Sequence, residues 1–266
     1  MMTSRNIFPV AAAVMLMMSC SVKEVRDGCP CRLTADLSEA SETDGKVTIS
    51  AEFKDAVIRT DKASPEGDHL YRMDVPRGDI RVTCLQGMAT GSTDGRNVII
   101  PYGHGADRLM SGTETVDCSG ETAFCKIMFH KDWCEMTFLC SSADAGTYPY
   151  RIEVTGNING FDAGTRTPLD GKFRCTAEEK HDAKDALHAY LPRQNASGRG
   201  LRMTLYSKAS GEEAKEYDLT EILSECRYDW EAYDLDDIRI GIDYSGLLTD
   251  ITVINWTTGL EMTVTI

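Results

Sequence analysis

The chain has 266 residues, of which 42 are acidic and 28 are basic, so its formal net charge at pH 7 is −14. A chain this acidic is not expected to bind nucleic acid by neutralising phosphates, or to attach to an anionic lipid surface through its own charge. The charge is explained more simply as a source of solubility. The length suits two domains of ordinary size.

Residues 1–19 have the layout of a bacterial lipoprotein signal peptide. Arg5 is followed by an apolar run over residues 7–18, then by Ser19 and Cys20. The run is shorter than the roughly 20 apolar residues that a transmembrane helix needs. The pattern predicts that Cys20 becomes the first mature residue and carries lipid, including palmitate, on an exported protein. An ordinary secretory signal with an incidental cysteine is the alternative, because Met17 is a weaker match than leucine at its position.

Residues 20–31 form a short polar tether, after which strand patterns dominate. In residues 46–53, Val47, Ile49, Ala51 and Phe53 alternate with polar residues, which is typical of a strand with one buried face. Turn residues such as those at 44–45 and 94–95 separate the segments. The predicted strands of this first set are 32–37, 46–53, 69–75, 80–85, 97–101, 125–130 and 134–140.

A polar stretch at 141–149 contains Gly146 and Pro149 and is the predicted boundary between domains at 32–142 and 143–266. One helix is predicted over residues 218–226, with Asp218 or Thr220 as its N-cap. No long amphipathic helices alternate with the strands, so the chain is predicted to be all-β, built from sandwiches or barrels. The second set of predicted strands is 151–155, 172–175, 187–191, 201–207, 215–219, 237–244, 250–256 and 261–266.

Ten cysteines are present, and nine remain once Cys20 is assigned to lipid. Nine is an odd number, so at least one thiol is free or pairs between chains. Their spacings do not repeat as C-x-x-C pairs, which argues against a zinc site. Export permits disulfides, but the pairing cannot be read from the sequence. The nine are Cys29, Cys31, Cys84, Cys118, Cys125, Cys134, Cys140, Cys175 and Cys226.

Residues that could carry chemistry are scattered, and each has a simpler explanation. His104 has no nucleophile motif or metal-type histidine spacing near it, and a pairing of His181 with His188 lacks support. The sequence therefore predicts no catalytic residue, metal site or cofactor. An acidic turn at Asp234, Asp236 and Asp237 is interpreted as solvated. Core packing is favoured over a sugar platform for Trp133, Trp230 and Trp256.

The last six residues alternate between polar and apolar side chains. Met262, Val264 and Ile266 would share one face of a strand, as pairing over a hydrophobic groove requires. These three residues are the candidate strand-pairing segment. The alternative is a final internal strand that forms a hairpin with residues 250–256.

Several motifs occur in an order that resembles the fimbrillin-A-associated anchor family, the FimB-like fimbrial anchor and minor subunit lipoproteins of Bacteroidales. They follow the lipid-attachment cysteine over nearly the whole mature chain. They are Gly28-Cys29-Pro30-Cys31-Arg32-Leu33, Asn157-Ile158-Asn159-Gly160-Phe161-Asp162, Pro168-Leu169-Asp170-Gly171-Lys172-Phe173, Leu191-Pro192-Arg193-Gln194 and Tyr228-Asp229-Trp230.

The resemblance implies two tandem transthyretin-like Greek-key β-sandwich domains and no enzymatic activity. It implies an outer-membrane lipoprotein, facing the exterior, that anchors a fimbrium at its base or forms a minor subunit of it. The implied partners are fimbrillin shaft subunits, bound by β-strand addition during pilus assembly. A lipidated subunit could not lose its first strand without losing its anchor. The alternative is a surface lipoprotein that serves in cell adhesion as an adhesin or glycan-binding module.

Overall fold

The computed structural model describes residues 28–65, 67–141, 148–179, 186–195, 200–243, 248–254 and 261–265, with the backbone alone for residues 141, 243, 248–254 and 261–265. Strands account for most of this part of the chain, and the helix α1 (Leu219–Glu225) has seven residues. The all-β prediction is therefore confirmed. Among these residues no helix is long and apolar enough to cross a membrane.

The first part of the chain folds into two sheets that face each other. One sheet has the order β4-β1-β9, with β1 antiparallel to β4 and parallel to β9; the other has the order β10-β8-β5-β2-β3. Alternate side chains of both sheets meet in one hydrophobic core, as in a sandwich. The strands are β1 (Cys31–Asp36), β2 (Val47–Phe53), β3 (Ala56–Ala63), β4 (Leu70–Val75), β5 (Asp79–Gln86), β6 (Ser92–Thr93), β7 (Asn97–Ile99), β8 (Met110–Asp117), β9 (Thr122–Lys126) and β10 (His130–Lys131).

The second part forms another pair of sheets around a larger core. Its first sheet has the order β14-β15-β11-β18-β19-β20; in the second, β12 pairs β13 on one edge and β16 on the other, and β17 follows β16. Helix α1 packs Leu219 and Leu223 into this core. The strands are β11 (Trp133–Ser141), β12 (Tyr150–Asp162), β13 (Thr167–Thr176), β14 (Glu178–Glu179), β15 (Ala186–Pro192), β16 (Arg202–Ser207), β17 (Glu213–Asp218), β18 (Asp237–Asp243), β19 (Leu248–Ile254) and β20 (Glu261–Thr265).

The two sandwiches share one strand order. In the first, β1 lies between β4 and β9, and the facing sheet contains the order β3-β2-β5-β8. In the second, β11 lies between β15 and β18, and the facing sheet contains the order β13-β12-β16-β17. The central strand is parallel to one neighbour in both, β9 in the first and β18 in the second. The chain thus repeats a topology without repeating a sequence.

The segment between β5 and β8, which carries β6 and β7, extends from the first sandwich to the second. Strand β7 pairs with the end of β12, and Val98, Leu109 and Phe161 form a small separate hydrophobic cluster there. The backbones approach so closely that a Cβ added at Gly160 would lie 2.0 Å from the carbonyl oxygen of Val98. Only glycine fits this contact, which explains its place in the motif at 157–162.

Two details differ from the sequence-based expectations or refine them. The predicted N-terminal sandwich, residues 32–142, includes residues 133–141, but β11 is the central strand of the second sandwich, and its Met136 and Phe138 are buried in the second core. This assignment was wrong because strand patterning does not reveal which core a strand fills. The division at 142/143 otherwise stays a prediction. Helix α1 matches the expected helix, and Asp218 is its N-cap, accepting hydrogen bonds from the N–H groups of Thr220 and Glu221.

Candidate functional site

The predicted lipid-attachment residue, Cys20, lies outside the described residues, and β1 begins eleven positions after it. Strand β1 pairs with β4 along one edge and with β9 along the other. Its alternate side chains Cys31, Leu33 and Ala35 are fully buried between the sheets, whereas Arg32 is exposed. The segment that follows the tether is therefore an integral strand of the first sandwich.

Arg77 holds the chain at the point where it enters this sandwich. Its Nε donates a hydrogen bond to the carbonyl oxygen of Cys29 at 2.8 Å, and its Nη1 donates to that of Ser119 at 2.7 Å. One guanidinium thus joins the last tether residues to the turn between β8 and β9. Residues 29 and 119 are far apart in sequence, so no local pattern reveals this contact.

A cluster of Ser111, Asp132, Arg166 and Arg193, called here the junction cluster, lies between the two sandwiches and is buried except for the partly exposed Arg166. The Asp132 carboxylate has no exposed surface and accepts hydrogen bonds from Arg193 Nη2 at 2.9 Å, from Arg166 Nη2 at 3.2 Å and from the Ser111 hydroxyl. Burial raises the pKa of Asp132 above its ordinary value, while both guanidiniums and the Ser111 hydroxyl act in the opposite direction. The cluster connects β8, the start of β11, the turn between β12 and β13, and the end of β15.

The same arginines fix the loop between α1 and β18. Arg193 Nη1 donates to the carbonyl oxygens of Trp230 and Ala232, both at 2.7 Å, and Arg166 Nη2 donates to that of Tyr233 at 2.9 Å. Beside this loop is a cleft of about 510 Å³. The Tyr233 ring is 72% exposed at the cleft, with the Arg166 guanidinium 5.4 Å from its centroid. The cleft is lined by Thr165, Arg166, Thr167, Pro168, Arg193, Gln194, Asn195, Trp230, Glu231 and Tyr233.

The tryptophans do not form an exposed platform. Trp133 and Trp230 are both 7% exposed and belong to the second core, as the core-packing interpretation predicted. Trp256 lies outside the described residues. The exposed aromatic ring of the cleft is Tyr233 instead, a residue to which the sequence drew no attention because a single tyrosine in an acidic loop carries no pattern.

The histidines and the acidic turn have separate environments. His104 and His188 line a smaller cavity of about 210 Å³, His181 is outside the described part, and no group of three potential metal ligands occurs among the described residues. The interpretation of the acidic turn as solvated fits Asp234, whose side chain is 51% exposed, but is wrong for Asp237, whose side chain is 18% exposed. Asp237 accepts hydrogen bonds from Lys131 Nζ and the Glu135 N–H, and Asp234 accepts one from the Lys131 N–H.

The candidate strand-pairing segment forms β20, which pairs antiparallel with β19. Met262 is opposite Val253 and Val264 is opposite Ile251, while Ile266 and the side chains of this segment lie outside the description. Strand β20 is the last in the order of its sheet. Within the described backbone its second edge therefore faces no strand, and the choice between an internal strand and a pairing segment stays open.

Comparison with known proteins shows the fold. No protein-family model and no curated protein matches the chain. A solved structure of a candidate polysaccharide-binding protein from Bacteroides thetaiotaomicron matches with a TM-score of 0.63 at 15% identity, over 88% of this chain and 98% of that chain. A candidate adhesin from Bacteroides ovatus and the fimbrial anchor protein Mfa2 from Porphyromonas gingivalis each match with a TM-score of 0.58 at 12% identity, over 89% of this chain and 96% of theirs. This chain has the fold of these structures over nearly their full length.

The junction cluster supplies a stability prediction. Asp132→Ala leaves two guanidiniums close together without their shared carboxylate, and we expect a loss of about 3–5 kcal/mol in the free energy of unfolding. Asp74→Ala is the control, because Asp74 and Arg32 form an exposed pair at 3.9 Å and its loss should cost about 1 kcal/mol or less. Urea unfolding of both variants checks this. Equal costs would show that the cluster does not stabilise the junction.

Proposed function

We propose that this protein is a non-enzymatic lipoprotein of the outer membrane, facing the exterior, that holds a fimbrium at the cell surface as its anchor or as a minor subunit. Its two sandwiches would be transthyretin-like, and its partners would be fimbrillin subunits joined by β-strand addition. The observation that carries the proposal is the position of β1, which follows the predicted tether and occupies the centre of its sheet.

An anchor would differ from a subunit that polymerises by strand exchange because the anchor keeps β1. Strands β4 and β9 do not pair with each other, so removal of β1 would leave a groove between them, lined by the core that Leu33 now fills. In a chain lipidated at Cys20, β1 stays attached and keeps this groove closed. The first sandwich would then contribute a tether, and a partner strand would have to join at another sheet edge.

The fold comparison supports the same role. The fimbrial anchor protein Mfa2 shares the fold over 96% of its length. At 12% identity this similarity does not itself transfer the function. It adds to two other observations, the lipoprotein-type signal peptide and the central position of β1. These three observations differ in kind and favour one role.

The attachment is tested by Cys20→Ala in cells that make fimbriae. We expect the variant to fold, to lose lipid labelling, and to move from the membrane to the soluble fraction or remain an unprocessed precursor, because nothing else in the acidic chain favours a bilayer. Fimbriae should then be shed into the medium. Cys29→Ala, nine positions later in the predicted tether, is the matched control and should leave both unchanged. Normal lipid labelling of the Cys20 variant would contradict the proposal.

The contribution of β20 is tested by deleting residues 261–266. We expect less fimbrillin to remain attached, because the deletion removes the strand whose outer edge is available for pairing. The monomer keeps its stability if the segment is donated to a partner, whereas the second sandwich loses stability or aggregates if β20 is an internal strand. Thr263→Ala is the control for a change on the opposite face. A truncated protein that is stable and retains all its fimbriae would refute an edge role for this segment.

A second candidate function is glycan binding by the cleft. It is favoured by the exposed ring of Tyr233 beside Arg166, since sugars stack on exposed aromatic rings next to polar groups, and by the shared fold with a candidate polysaccharide-binding protein. Tyr233→Ala should weaken binding to a polysaccharide array by about tenfold or more, the equivalent of about 1.4 kcal/mol. Phe124→Ala is the control, because Phe124 is 60% exposed on the other sandwich. Equal binding by both variants and the unmodified protein would exclude this site.

A further inference from the structure

Four cysteines are buried in the core of the first sandwich: Cys31, Cys84, Cys118 and Cys125. Cys31, Cys84 and Cys118 have no exposed surface, and the Cys31 thiol is a close neighbour of Cys118. Burial, and then the neighbouring Cys31 thiol, raise the pKa of Cys118 to about 12. Cys31 and Cys118 are therefore neighbours within this core.

The backbone brings these two residues together independently of their thiols. Cys31 is opposite Val75, the last residue of β4, and the Cys118 N–H donates to the carbonyl oxygen of Gly78 at 2.9 Å. Residues 76–78 connect β4 in one sheet to β5 in the facing sheet. The two cysteines therefore flank the same short crossover, with Cys31 at the start of β1 in one sheet and Cys118 directly after β8 in the other.

Arg77 lies in the middle of that crossover and binds residues close to both cysteines. Its hydrogen bonds to the carbonyl oxygens of Cys29 and Ser119 hold the residue two before Cys31 and the residue after Cys118 on one guanidinium. A disulfide needs Cα atoms about 4.4–6.8 Å apart. At this end of the sandwich residues 76–78 join the two sheets, next to both cysteines.

We propose that Cys31 and Cys118 form a disulfide in the native protein, which links the strand that follows the lipid tether to the facing sheet. The proposal rests on the proposed export of the chain, because export places the thiols in an oxidising compartment. The disulfide does not require a fimbrial partner.

The oxidant is a disulfide of the cell envelope, on a protein or a small molecule. One cysteine thiolate attacks a sulfur of that disulfide and releases a thiolate, and the second cysteine then displaces the other oxidant sulfur from the mixed disulfide. Two protons and two electrons leave the protein, and the oxidant becomes two thiols. Because both cysteines are buried and the raised pKa leaves little Cys118 thiolate at neutral pH, the exchange belongs to folding, before β1 closes the core.

The bond would matter most under load on the tether. A pull on the N-terminal residues acts on β1, which is otherwise held by hydrogen bonds to β4 and β9 and by its buried side chains. The disulfide transfers that pull to β8, an inner strand of the five-stranded sheet. Because it closes a loop from residue 31 to residue 118, it also restricts the unfolded chain strongly.

The experiment uses the full chain, purified from the membranes of cells that produce it and alkylated before any reduction. We expect a digest to contain one cross-linked peptide that joins Cys31 to Cys118, lighter than the reduced pair by two hydrogen atoms. Alkylation of both thiols in the unreduced sample would overturn the inference. Lipid on Cys20, read in the same digest, decides the anchor proposal separately, since the cross-link and the lipid can each be present without the other.

Variants give a second, independent measurement. Cys31→Ala and Cys118→Ala should each lower the thermal midpoint of the first sandwich by on the order of 10 °C, and the double variant should be little worse, because one bond is lost in all three. Reductant should remove most of the difference from the unmodified protein. Cys84→Ala is the matched control from the same core, and it should keep both the cross-linked peptide and the sensitivity to reductant. If the losses in thermal midpoint add in the double variant and reductant does not change them, the two cysteines stabilise the sandwich by packing alone, and the disulfide is refuted.

Discussion

The first sandwich depends on one strand that pairs on both edges. Strands β4 and β9 are each joined to β1 and not to each other, so the smaller sheet exists only while β1 is in place. Leu33 and Ala35 close the core from that strand. The same strand follows the predicted tether. The start of the chain would therefore both attach the protein and complete the first sandwich, and a subunit that gives up its first strand cannot do both. In the proposed anchor, a first strand that stays in place would suit the protein to end a polymer at the membrane rather than to extend it.

In both sandwiches the first strand is the central strand of its sheet, β1 in the first and β11 in the second. Arginine side chains bind residues that lie shortly before each of these strands. Arg77 holds the residues before β1 through backbone carbonyl groups. Arg193 and Arg166 hold Asp132, the residue directly before β11, through its carboxylate. The first contact is exposed and neutralises no charge, whereas the second is buried and leaves one carboxylate shared between two guanidiniums. Loss of a partner is therefore expected to disturb the junction far more than the tether entry.

Local patterns in the sequence predicted much of the fold but little of its assembly. The alternation in 46–53 and the capped helix after Asp218 are local properties, and both elements are present. Strand β3 was missed because it lies at a sheet edge with nearly every side chain exposed, so no alternation marks it. Strand β8 was missed because it is largely polar, with Gly112 where an added Cβ would lie 2.3 Å from a carbonyl oxygen. Asp132 carried no signal, since its two arginine partners are distant in the chain.

These features define a path for force in the proposed anchor. A fimbrillin strand at the edge of β20 would pull on the sheet that contains β11, and the route to the tether then crosses the junction between the sandwiches. Several links span it, among them the chain through residue 132, the pairing of β7 with β12, the Arg96–Asp162 ion pair at 2.6 Å and the hydrogen bond of the Ser111 hydroxyl to Asp132. Because these links are parallel, none has to carry the whole force. A buried charged cluster is a poor way to gain stability alone, but its fixed geometry would hold the two sandwiches in one orientation while the polymer is pulled.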